Sequence, residues 1–272
     1  MEKYLLMIIC VALTIAFLFL SKKIADIMTR FDDDAQVSHH ENTAVALRRF
    51  GIFIGVCVAM QTLAKDVSSY WDVAFFCVYG LIVAALFFAA HWINDFIIIP
   101  KVRNNDLIKA GNVPTGLIEA GAFFATGMLL NGAFAGDHGG VESAVVFFFL
   151  GQIVMIAAIF IHEKIYRFNV VDCVKAGNLS AGAAVAGLLI AYSIILRASI
   201  AGDFLGWGRS LAAFAVSAVT GMISLIVFER IAAWIFLPHT SIRAEIHKGN
   251  TGAILIVQSI TIALSIIISQ LI

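Results

Sequence analysis

Charged side chains are scarce. Asp, Glu, Lys and Arg make up 13% of the 272 residues against 61% hydrophobic ones, and the mean hydropathy is +0.96. That ratio excludes a water-soluble globular domain of this length. Neither sign is in excess, with 18 basic and 18 acidic residues, so net charge gives no reason for nucleic acid to bind. The four cysteines, Cys10, Cys57, Cys77 and Cys173, show no CxxC or Cys/His ligand spacing and read as buried free thiols. No Walker, Rossmann or GxSxG pattern occurs, and "HEKIY" lacks the second histidine of a HExxH zinc motif. No nucleophile or metal constellation is complete, so the expectation is a non-enzyme without cofactor or metal.

What the chain does have is long apolar runs. A bilayer core of about 30 Å needs about 20 apolar residues in a helix, and eight runs meet this: 4–28, 43–64, 71–99, 113–135, 142–165, 179–200, 208–236 and 251–271. The ten-residue alternation of a membrane barrel is missing, so the spans are helices and the fold is an all-α polytopic membrane protein. The first run lacks a small-residue cleavage site before Lys22 and Lys23 and reads as a transmembrane helix, not a signal peptide.

Connections between runs alternate between short acidic and longer basic segments. Fourteen of the 18 Lys and Arg residues fall on the basic side, which the positive-inside bias places in the cytoplasm, with both termini periplasmic. On that side "KAGN" ends at Asn112 and again at Asn178, "HKGN" at Asn250, and the looser "HHEN" at Asn42. Successive asparagines stand 70, 66 and 72 residues apart, which makes the chain a fourfold repeat of one helical hairpin in parallel orientation. Paired repeats give two domains, 1–138 and 139–272.

The stretch "ENTAVALRRFGIFIG" and its later counterpart "GNVPTGLIEAGAFFATG" carry a resemblance to the YjfL-like family of bacterial inner-membrane proteins, whose domain has no assigned function. The resemblance covers nearly the whole chain, as two tandem copies. It implies localisation in the bacterial inner membrane and brings no catalytic residues. Members are often encoded near membrane-stress coat proteins and glutathionylspermidine-type enzymes, an association that points to envelope or polyamine physiology.

Asn42, Asn112, Asn178 and Asn250 suit helix caps, because a side-chain oxygen can accept from the unpaired amides of a first helical turn. The sharper alternative is that the four helix starts converge on a cytoplasmic vestibule that favours an anion. The small residues that follow each asparagine suit close helix packing. Arg49 and Glu119 each lie seven residues past an asparagine, about 10 Å deep, where the second domain has Val185 and Val257. Charge at that depth pairs or faces water, so an Arg49–Glu119 pair is one reading, with snorkelling of Arg48 and Arg49 toward the interface as the other. His91 and Asp95 share a helix face, and with His162, Glu163, Glu229 and Arg230 they suggest a polar layer near the cytoplasmic side. Asp32, Asp33 and Asp34 read as a solvated loop, with binding of a cation or polyamine as the alternative, and Ile242 with Ile246 as one face of a short interfacial helix.

Two functional readings stay open: a conduit or regulated binding site for an ion or small charged solute, alone or as a homo-oligomer, or a membrane scaffold that recruits a cytoplasmic stress or coat protein through the linkers.

Overall fold

The computed structural model describes residues 2–29, 31–97 and 104–272. The described residues form twelve helices and no strand: α1 (Glu2–Met28), α2 (Asp33–Ser38), α3 (Thr43–Lys65), α4 (Tyr70–Ile97), α5 (Asn104–Lys109), α6 (Val113–Ala133), α7 (Gly140–Tyr166), α8 (Val170–Lys175), α9 (Leu179–Ile200), α10 (Trp207–Phe236), α11 (Ile242–Lys248) and α12 (Thr251–Ile268). Eight of them are long and apolar enough to cross a membrane. The remaining four, α2, α5, α8 and α11, are short and occupy the linkers before the asparagines. Each repeat is therefore a span, a short helix and a second span.

The second spans stand side by side in chain order. Helix α3 packs on α6, α6 on α9 and α9 on α12, while α1, α4, α7 and α10 form an outer layer against that row. Burial follows the same plan: 78% of the apolar window of α6 and 83% of that of α9 is buried, but only 22% in α1 and in α10. The chain resembles a solenoid, since each inner helix meets only its neighbours in sequence.

Small residues set the spacing of the row. A Cβ placed on Gly121 would sit 2.9 Å from Ala186 Cα, and one on Gly182 would sit 2.7 Å from Pro114 Cα, so α6 and α9 touch backbone to backbone. Gly51 faces Ala120 and Gly127 faces Gly55 in the α3–α6 contact in the same way. In lipid, where apolar burial gives helices no reason to associate, such close contact supplies the dispersion energy that holds them.

The linkers are folded against the bundle. Gly111, Gly177 and Gly249 end α5, α8 and α11 with φ of 79, 74 and 72°, a left-handed turn that costs glycine nothing and aims the chain back into the membrane. Glu41 holds the equivalent place in the first repeat at φ 50°, with the strain of a side chain in that region. The expected short helix in the last linker is present, but Ile242 and Ile246 are buried against the bundle core and not laid along a lipid interface. The expected solvated aspartate loop is also not what forms: Asp32 caps α2 through Ala35 N, and Asp33 is 1% exposed. Of the four free cysteines only Cys10 is buried; Cys57 is exposed on its span, and Cys77 and Cys173 are half-buried.

Gly121→Leu is expected to lower the thermal unfolding temperature in detergent sharply, because overpacking a filled contact costs about 1–3 kcal/mol even where neighbours can shift, and here backbone blocks the way. Unfolding as late as that of the native chain would contradict the backbone contact.

Candidate functional site

The four asparagines do cap their helices. Asn42 Oδ1 accepts from Ala44 N and Val45 N at 3.1 and 3.2 Å, Asn112 Oδ1 from Thr115 N at 3.0 Å, Asn178 Oδ1 from Ala181 N at 3.1 Å, and Asn250 Oδ1 from Ala253 N at 3.2 Å. Their amide groups do something the sequence reading missed. Asn42 Nδ2 donates across to the Ile108 and Lys109 carbonyls at 3.0 and 3.2 Å, Asn112 Nδ2 to Val174 O at 2.9 Å, and Asn178 Nδ2 to Ile246 O at 2.7 Å. Each asparagine thus ties its own helix start to the end of the short helix in the next repeat. Asn250, the last of the four, donates instead to Glu245 Oε2 at 2.6 Å in its own linker. The starts form a row and do not converge on a vestibule. The signal that was available is that all four copies carry Asn; Ser or Asp would cap equally well but cannot donate an amide hydrogen.

The charges of the first half meet, though not as the expected pair. Arg49 is bonded to Asp26 at 3.0 Å, to Asp34, and lies 3.5 Å from Asp33; it does not pair with Glu119. The arginine beside Glu119 is Arg48, with Nε 4.0 Å from Glu119 Oε2. Arg48 does not snorkel: it is 2% exposed, its Nη2 forks onto both oxygens of Asp33 at 3.0 and 2.9 Å, and its Nη1 donates to Asn105 at 2.9 Å. Residues of α1, α2, α3, α5 and α6 are joined in this cluster. Asp33 escaped detection because its partner is 15 residues away and across a turn. At the exposed edge, Asp34 accepts from Lys22 and Arg49, which hold its carboxyl down at about 2. Because its folded value is depressed, the contribution of Asp34 to stability is present above the ordinary carboxylate range and fades as pH falls toward that value.

The second half has a different polar centre. His162 Nε2 on α7 lies 2.7 Å from Glu229 Oε2 on α10, both groups are 1% exposed, and Tyr192 on α9 brings its Oη to 2.6 Å from His162 Nδ1. Glu163 points elsewhere and accepts from Val170 N at the start of α8. His91 and Asp95 sit on α4, and their side chains fall outside the described residues. Among the described residues no group of three or more His, Cys, Asp or Glu side chains converges as a metal site.

A third feature lies at the opposite end of the bundle from the asparagines, where the two halves meet. A cavity of about 420 Å³ is lined by Asp66, Asp72, Asp137 and Asp203, with Phe75, Tyr79, Phe134 and Phe147 among its aromatic walls. Two of the turns that line it are clasped together: Phe204 N donates to Asp137 O at 3.0 Å and Asp137 N to Asp203 Oδ1 at 3.1 Å. Arg209 and His138 belong to the same lining. The sequence marked these turns only as short and acidic.

Eight spans built as tandem hairpins define a class of repeat-built integral membrane protein. Within it, the chain belongs to the family described as Domain of Unknown Function (DUF350), whose profile matches residues 1–134 and again 138–272. It is also similar to a UPF0719 transmembrane protein of Aquifex aeolicus (strain VF5), 20% identical over 234 residues that cover 85% of this chain and 86% of the relative. No solved structure matches.

Asp33→Asn is expected to destabilise the protein by about 3–5 kcal/mol, since it removes the carboxylate bonded to a buried guanidinium; Asp34→Asn, on the exposed edge, should cost no more than about 1 kcal/mol. Thermal unfolding of the two variants checks the order, and equal costs would refute the burial argument.

Proposed function

We propose that this protein is a membrane-embedded binding site for a small organic cation, taken up in the chamber between the two halves. The observation that carries the reading is the chamber itself: four aspartates set among aromatic rings at the seam. Carboxylates attract positive charge, and aromatic faces add cation–π contact with an ammonium group, which favours an organic cation over a strongly hydrated alkali ion. The basic linker side is assigned to the cytoplasm of the bacterial inner membrane by the positive-inside bias, so the chamber and both termini face the periplasm.

A pore through the inner row is disfavoured, since α3, α6 and α9 touch at their glycines and leave no lumen there. Any passage of solute therefore needs helices to separate, which makes a regulated site the better form of the reading than an open conduit. Recruitment of a cytoplasmic partner by the linkers is the weaker reading, because Ile108, Val174 and Ile246 turn their apolar faces into the bundle and not toward a partner.

Calorimetry on the protein in nanodiscs, with a panel of alkali cations and alkylammonium ions, tests this. Binding of an alkylammonium ion is expected, weakened about tenfold for each charge removed in Asp66→Asn and Asp137→Asn, equal to about 1.4 kcal/mol apiece. Absence of binding across the panel, or unchanged affinity in variants that unfold as late as the native chain, would overturn the proposal.

A further inference from the structure

The chamber makes no use of the His162 centre, whose His162 and Glu229 lie toward the other end of α7 and α10. Four helices contribute to it. His162 comes from α7, Glu229 from α10 and Tyr192 from α9, and the Thr261 hydroxyl of α12, which also bonds the Val257 carbonyl, lies 3.3 Å from Glu229 Oε1. The other ionisable groups that face the pair are Tyr166, whose ring meets the imidazole edge-on at 5.2 Å, and Arg230, whose guanidinium lies 5.7 Å over the Tyr166 ring at the exposed surface of α10.

The hydrogen count of this cluster has two self-consistent solutions. With an ionised Glu229 and a neutral His162, Nε2–H donates to the carboxylate and Nδ1 accepts from the Tyr192 hydroxyl. The contacts among His162, Glu229, Tyr192 and Thr261 are then made, but the site holds a negative charge that no cation in the cluster touches, within apolar surroundings where charge is costly. One added proton cancels it. Nδ1 then carries hydrogen and donates to Tyr192 Oη, the hydroxyl hydrogen turns away, and the Nε2 to Oε2 contact persists whether the proton between them rides on nitrogen or oxygen. No heavy atom has to move between the two states. An arginine in place of His162 would neutralise Glu229 permanently, whereas imidazole is the side chain whose charge changes near neutral pH.

We propose that His162 and Glu229 form a site that binds one proton reversibly within the membrane, with the Tyr192 hydroxyl as the rotor that changes from donor to acceptor when the proton arrives. Tyr166, the last residue of α7, and Arg230 mark the end of the cluster nearest the linker side.

The test is nuclear magnetic resonance of the full chain in nanodiscs, with isotope-labelled histidine and glutamate side chains. His162 is identified among the seven histidines by the signal lost in His162→Gln. In the native protein the His162 and Glu229 signals are expected to titrate together at one midpoint, as a coupled pair does. Glu229→Gln keeps the shape but removes the carboxylate, and should lower the proton affinity of His162 by tenfold or more; Tyr192→Phe, which leaves the charge in place, should shift it less. Separate midpoints for the two groups in the native chain, or a His162 ring that keeps one protonation state from about pH 4 to pH 10, would overturn the assignment. The native titration decides the matter even if Glu229→Gln fails to fold.

Discussion

The whole arrangement depends on an asparagine amide that works in two directions at once. Its oxygen opens one helix and its nitrogen holds the end of the helix before the next. This double use is possible only when neighbouring inner helices run parallel and start at the same height, for only then does the carbonyl of the following linker lie within reach. The repeat therefore specifies orientation and register together. A slip of one turn along the row would move a helix by about 5.4 Å and break both the stitch and the glycine contacts below it. The last of the four copies differs: Asn250 donates to Glu245 of its own linker. Thr240 and Lys248 also bond that carboxylate, and together these contacts hold its ionisation below the ordinary range.

Close packing of the row leaves chemistry to its margins. Middle positions are occupied by glycine and alanine, so ionisable groups appear where the inner helices meet the outer layer or the linkers. The copies have diverged at these margins. Seven residues past the asparagine stand Arg49, Glu119, Val185 and Val257, and fourteen past it stand Val56, Thr126, Tyr192 and Leu264. The first half has thereby become an ion-paired scaffold around Arg48, and the second has acquired the His162 centre. The acidic chamber belongs to neither half, since the ends of α3, α4, α6, α7, α9 and α10 all contribute to it.

Much of the fold was legible because membrane physics leaves few choices. Span length, the helical requirement and the repeated Gly-Asn each follow from local sequence, and the eight spans are where the apolar runs lie. The sites were harder. The depth of Arg49 and Glu119 was readable, but the arginine beside Glu119 is Arg48, and its partner is Asp33, on a short helix that the run of three aspartates disguised as loop. His162 and Glu229 were each visible as polar residues near helix ends. Their pairing depends on which outer helices are neighbours, and periodicity does not encode that. The chamber was least legible of all, being formed by turns whose spatial approach depends on the packing of the two halves.

The most direct test of the stitch is the stability of Asn178→Ser. Serine caps a helix as well as asparagine does, so a residue that is only a cap should tolerate the change. The two-directional account predicts a loss of about 1 kcal/mol or more in equilibrium unfolding, because the Ile246 carbonyl loses its donor. A variant as stable as the native chain would show that the amide contact holds nothing together.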